Sequence, residues 1–133
     1  MYGWEARPRK AYQKKEIGTI EVEGADTRGL ALQLAKCYTD TNIDTPGVPS
    51  HNHPGYSELF AYPRGEGMLI LGRGGDSLAK KIPIFPGIFT FIDGNEYHAV
   101  RPLESEVYVA LMRFDSELIK IFGKGNHLNM RKS

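Results

Sequence analysis

The chain has a single cysteine, Cys37, among 133 residues, so no disulfide can form within it. A lone thiol suits a reducing compartment, and with no base near it in sequence Cys37 reads as a small core or surface thiol rather than a nucleophile. Charge of either sign is not in excess either: 17 Lys and Arg stand against 16 Asp and Glu, a net charge of +1. No field therefore favours a nucleic acid or another polyanion. The one basic concentration, Arg7, Arg9, Lys10, Lys14 and Lys15, is interrupted by Pro8 and reads as a solvated arm. Long apolar runs are also missing. Nothing approaches the roughly 18 residues of a membrane span, and the opening MYGWEARPRK carries no apolar signal core. A soluble, cytoplasmic protein with no nucleic-acid or membrane partner is the expectation.

What is present is an ordinary globular composition, 41% hydrophobic and 25% charged, enough to pack one core in a chain of single-domain length. Fifteen Gly and eight Pro divide it into short apolar runs. Ile17 to Val22 is β-rich and reaches a turn at Gly24 to Thr27, after which Leu30, Leu32 and Leu34 alternate with Ala31, Gln33 and Ala35, the second arm of a hairpin. Residues 39–50 are turn-forming almost throughout. Strand signals follow at Leu59 to Tyr62, Met68 to Leu71, Ile82 to Phe85, Ile88 to Ile92, His98 to Val100 and Val107 to Phe114. Short strands at this spacing predict an all-β sandwich or barrel. The barrel core is expected over about residues 16–114 of one domain spanning 1–133, with an N-terminal arm over 1–15. Over 115–133 a short helix capped by Asp115 or Ser116 and stopped by Gly123 would precede a polar tail.

Chemistry concentrates in one stretch. His51 and His53 are two residues apart, where an extended chain points both side chains the same way. Pro54-Gly55 breaks the chain before Glu58, so the carboxylate returns from another side, and Gly65 permits the next turn. A third imidazole, His98, follows the turn Asp93-Gly94-Asn95 on a later strand. Three neutral nitrogens and one carboxylate hold a divalent ion and leave one or two positions open. His127, in the polar tail, reads as solvated.

The stretch HNHPGYSELFAYPRGEG resembles the first motif of the cupin superfamily, and the spacing from Gly87 through Asp93 and Asn95 to His98 is similar to its second. Asp93 stands where that family usually has Pro and Asn95 where it has Gly; both suit a turn, and Asn tolerates positive φ. The resemblance implies a double-stranded β-helix, a jelly-roll barrel, with His51, His53, Glu58 and His98 as ligands of one divalent ion per chain, Fe, Mn, Ni or Zn. It implies no single reaction, because the same fold serves dioxygenases, isomerases, lyases and binding proteins.

Alternation from these residues places Phe60 and Tyr62 beside Glu58, and Val100 beside His98. Tyr62 and Tyr97 are the candidate catalytic hydroxyls, and Arg64, Arg73, Arg101 and Arg113 the candidate rim cations. An ion held by one carboxylate keeps about one positive charge and prefers an anionic or chelating oxygen ligand. The expectation is a small metalloenzyme of dioxygenase or isomerase/lyase type acting on such a molecule, with a non-catalytic metal-dependent binding or sensing module as the alternative. The run from Val107 to Phe114 is apolar on both faces, which points to a homodimer.

Overall fold

Alternating apolar and polar residues, broken by Gly and Pro, give nine strands in the computed structural model, which describes residues 11–17, 19–27, 29–38 and 50–118. They are β1 (Tyr12–Ile17), β2 (Ile20–Asp26), β3 (Leu30–Tyr38), β4 (Tyr56–Arg64), β5 (Gly67–Leu71), β6 (Lys80–Ile84), β7 (Phe89–Ile92), β8 (His98–Pro102) and β9 (Glu106–Asp115). All pairings are antiparallel. One sheet has six strands in the order β1-β2-β3-β9-β4-β7, the other three in the order β6-β5-β8. The long-range pairings β3 with β9 and β9 with β4 bring residues from both ends of the chain onto one surface. The two sheets enclose a core of Ala35, Cys37, Phe60, Tyr62, Leu69, Ile84, Ile92, Val107 and Val109. This is the expected jelly roll.

The hairpin before it differs from the sequence reading. Ile17 to Val22 is not one strand: β1 ends at Ile17 and the chain turns before β2 begins at Ile20. Gly24 lies within β2, where a Cβ would stand 2.3 Å from the Leu32 carbonyl oxygen; the glycine there marks a close approach of two strands, not their turn. Residues 12–15, expected in a solvated arm, are consequently an edge strand of the large sheet. The ambiguous arm from Leu30 is strand, as expected.

Asp115 accepts a hydrogen bond from the Glu117 backbone N–H at 2.9 Å, the expected cap, and a helical turn opens at Glu117. The remainder of the expected helix, with His127 and the tail, lies outside the described residues, as do residues 1–10. No helix among the described residues is long and apolar enough to cross a membrane.

Candidate metal centre

Four segments converge at one end of the barrel. His51 and His98 exchange both backbone hydrogen bonds, 3.1 and 2.8 Å, which adds His51 to the edge of the small sheet beside β8. His53 follows two residues on, its N–H bonded to the Gly94 carbonyl at 2.9 Å. Glu58 projects inward from β4, its side chain only 3% exposed, opposite Arg113 of β9.

The turn under His53 works as the sequence implied, with one correction. Asp93 accepts from the Asn95 N–H at 3.1 Å and its carbonyl accepts from Glu96 at 3.0 Å, so an acid caps the turn where the resembled family uses proline. Asn95, however, does not use the positive φ it could tolerate; among the described residues only glycines do. The residue that cannot vary is Gly94, whose Cβ would lie 2.2 Å from the Tyr56 carbonyl oxygen and 2.6 Å from that of His53.

His51, His53 and His98 each offer a ring nitrogen, and these nitrogens all lie within 4.8 Å of one another. That set can hold a metal ion. Glu58 Oε1 stands 2.9 Å from His98 Nε2 and 3.5 Å from His53 Nε2. The His98 contact decides how to read the group. Its Nδ1 is 3.1 Å from the Glu96 carbonyl, which can only accept, so in the neutral ring the proton sits on Nδ1 and Nε2 presents a lone pair. Nε2 and a carboxylate oxygen then face each other with nothing to share, and Oε1 is a buried atom without a hydrogen-bond partner among the described residues. Only a proton or a cation between them removes that repulsion. Donor atoms that share an ion at about 2.0–2.2 Å from each sit about 3 Å apart when at right angles, which the 2.9 Å Glu58–His98 pair matches, and the types of donor, imidazole nitrogen and carboxylate oxygen, suit a divalent ion.

Electrostatics set the charge of Glu58 and of His53. Burial pushes the Glu58 carboxyl up, but a hydrogen bond from His98 whenever that ring carries a second proton, with the charges of His53, His98 and Arg113, outweighs it and holds the group below its ordinary value. Glu58 is therefore a carboxylate. Burial lowers His53 to about pKa 4, against the pull of Glu58, so its ring stays neutral. The other oxygen, Oε2, accepts from Arg113 Nε at 3.3 Å, and Arg113 Nη1 lies 3.8 Å from Asp26.

Above these residues opens a cavity of about 290 Å³, close to the small end of ligand sites. Its walls are mostly apolar, among them Val22, Ala35, Phe60, Val100 and Leu111, with Lys15, Asp26, Gln33 and Arg113 as polar points. Phe60 and Val100 thus share the interior as expected. Tyr62 and Tyr97 do not line it. Tyr62 is a packing residue whose hydroxyl is 2.6 Å from Thr90 Oγ1, and burial raises it to about pKa 12; Tyr97 lies under the Arg73 guanidinium at 4.8 Å. Of the four candidate arginines only Arg113 lines the cavity; Arg64 is exposed, and Arg101 bonds the Val100 carbonyl at 3.0 Å. Lys15, read as part of a solvated arm, lines the cavity as well. So does Cys37, a buried thiol that burial pushes up to about pKa 11 and keeps protonated.

No family model matches the sequence, and no curated protein does. Solved structures do match. FeII HppE superposes with a TM-score of 0.63 over 84% of this chain at 13% identity, this chain spanning 60% of that one's length. A predicted oxalate decarboxylase from Thermotoga maritima gives 0.60 over 81% of this chain and 96% of its own, at 16% identity. KdgF from Halomonas sp. gives 0.57 over 77% and 86%, also at 16% identity. This chain has the cupin fold. Identities this low speak for the fold alone, and the case for a metal rests on the geometry of His51, His53 and His98, which could hold one.

Proposed function

We propose that this cupin is a mononuclear metalloprotein in which His51, His53, Glu58 and His98 together hold one divalent ion, Fe, Mn, Ni or Zn, and that it acts on a small, anionic or chelating oxygenated molecule. The observation that carries this reading is the buried Glu58 Oε1, 2.9 Å from His98 Nε2, beside three imidazole nitrogens that lie within 4.8 Å of one another. A bound divalent ion would supply Lewis-acid polarisation of a chelated oxygen, or oxygen activation if redox-active. The chain's residues do the rest. Arg113 fixes the Glu58 rotamer through Oε2, and Asp26 steadies Arg113. The apolar wall strips water from the ligand and strengthens every charge interaction beside it. At about 290 Å³ the cavity has the volume of roughly ten waters at ~30 Å³ each, which restricts the ligand to a small molecule.

Turnover of dioxygenase or isomerase/lyase type is the first reading. It is supported by analogy of fold alone, since FeII HppE and a predicted oxalate decarboxylase share this barrel. Metal-dependent binding without turnover is the second, favoured by the absence of Tyr62 and Tyr97 from the cavity wall. The test is metal analysis of protein purified without an affinity tag, then a screen of metals against small oxygenated anions. Product formation, with oxygen uptake for Fe(II) if the reaction is a dioxygenation, supports the first reading. Tight binding of a ligand with no product supports the second.

A further inference from the structure

The large sheet lays out its inward side chains in rows, because paired residues of neighbouring strands project to the same side. Asp26 pairs with Ala31, Ala31 with Arg113 and Arg113 with Glu58, so one row ends at the imidazole group. The next row is Gly24, Gln33, Leu111 and Phe60, and the one after it Lys15, Val22, Ala35 and Val109. Gln33 thus stands one row from Arg113 and Glu58, a step of about 7 Å along β3. It points inward, lines the cavity and is 9% exposed. Its side-chain amide makes no hydrogen bond among the described residues. Opposite it on β2 is Gly24, so no side chain covers the amide from that strand. Buried polar groups are nearly always paired, and an amide left unpaired in an apolar wall costs stability that a Leu or Met at the same position would not.

We propose that Gln33 is the specificity-determining residue of this cavity. Its amide binds a neutral group that both donates and accepts a hydrogen bond, a hydroxyl or a carboxamide, at the far end of a ligand whose chelating end meets the group formed by His51, His53, Glu58 and His98. The inference rests on the metal-centred reading above. An amide carries two N–H donors and one carbonyl acceptor. A carboxylate could use only the donors and would bring its charge against the carbonyl oxygen, and a methyl group would leave both sides unpaired. A hydroxyl or a carboxamide serves either side. Lys15, one row further, is exposed, where water screens its charge and weakens its hold on an anion.

The test uses the full chain loaded with Zn(II), which has no redox chemistry of its own, and four probes that share one chelating end. They are 2-oxopentanoate and its derivatives bearing a hydroxyl, a carboxamide or a carboxylate on the far carbon, with binding read by titration calorimetry. The hydroxyl and carboxamide derivatives should bind the parent about tenfold more tightly than 2-oxopentanoate, the worth of one hydrogen bond. Gln33→Met keeps the side chain's length and should abolish that preference, with affinity for 2-oxopentanoate unchanged within about twofold. Urea denaturation of the chelator-treated proteins supplies a second readout. Gln33→Met should have the higher midpoint, because an unpaired buried amide is gone; a lower midpoint would mean that the amide is bonded within the protein and overturns the inference. A parent that binds Zn(II) but binds the four acids alike, or none of them, overturns the inference and leaves the metal-centred reading standing. A parent that takes up no metal overturns both. Tightest binding of the carboxylate derivative, kept by Gln33→Met and lost by Lys15→Met, would assign recognition to Lys15 and overturn the role of Gln33.

Discussion

The two faces of strand β3 have exchanged the roles a half-buried strand normally gives them, while its neighbours β9, β4 and β7 bury Val107, Val109, Phe60, Tyr62 and Ile92 in the usual way. The inward face of β3 carries Ala31, Gln33, Ala35 and Cys37 and leaves about 290 Å³ unfilled, whereas the outward face carries Leu30, Leu32 and Leu34 half in water. A chain under selection for its own packing alone would fill the inside first, because a cavity costs stability and exposed leucine contributes none. Volume is withheld on the inside, and apolar area is placed on the outside. The hollow face is also where the charge is concentrated, with Glu58, Arg113 and Asp26 in one chain of contacts.

If the hollow face is organised around the imidazoles, the largest single-residue disturbance should come from a residue that has no side chain to offer, the glycine whose carbonyl holds the His53 N–H. Gly94→Ala places a Cβ 2.2 and 2.6 Å from two backbone carbonyl oxygens that cannot move independently, so the turn must separate from the segment bearing His53. Metal content should fall at least about tenfold and the folded state should lose about 1–3 kcal/mol, read by metal analysis and urea denaturation; parent-like values for both would show that the turn does not position His53. Arg113→Gln comes next. It leaves Glu58 Oε2 buried without its cation, and a loss of about 1–3 kcal/mol is expected at neutral pH. Unchanged denaturation would mean the 3.3 Å contact contributes nothing.

Acid separates the faces without mutation, since the outer face carries the apolar row and the inner one the lowered imidazole. His53 is lowered to about pKa 4 in the folded chain against an ordinary value near 6.5. The unfolded chain then takes up a proton first, so the stability His53 contributes is complete above about pH 6.5 and lost as pH falls through about 4. Chelator-treated protein should show a falling denaturation midpoint over that window, and His53→Phe a flatter one. A parent profile level from pH 7 to 4 would contradict the assignment. The smallest effect is expected at Tyr62→Phe, which removes one hydroxyl partner from Thr90: a loss of about 0.5–1.5 kcal/mol with metal content unaltered. Altered metal content there would return Tyr62 to the site.

That His51, His53, Glu58 and His98 come together was legible in the sequence because the signal is local. His51, His53 and Glu58 lie within eight positions, and the spacing to Gly65 and from Gly87 to His98 carries the rest. Strands after residue 56 were legible for the same reason, each bounded by its own Gly, Pro or Asp-Gly turn. What the sequence hid depends on register. Arg113 meets Glu58 only because β9 pairs with β4 across 55 positions, and nothing near either residue records that pairing. The hairpin read from Ile17–Val22 to Leu30 is the β2-β3 pair, but β1 before it was missed and the turn was read too early, because Gly24 looks like a turn and only its cross-strand contact at Leu32 places it inside β2. Lys15 followed from that error, since a residue in an arm lines nothing while one in β1 faces the cavity. The row from Val107 to Phe114 was read as apolar on both faces, but not that its outward side continues through β3 to Leu30.

The claim on which the rest depends is that one ion per chain is held by the four named side chains. The most direct measurement is elemental analysis of the tag-free protein beside the His51→Ala, His53→Ala, His98→Ala triple variant, with His127→Ala as the control. The account predicts close to one divalent ion per chain in the parent and in the His127 variant, and almost none in the triple variant. Equal metal content in the triple variant and the parent would contradict it.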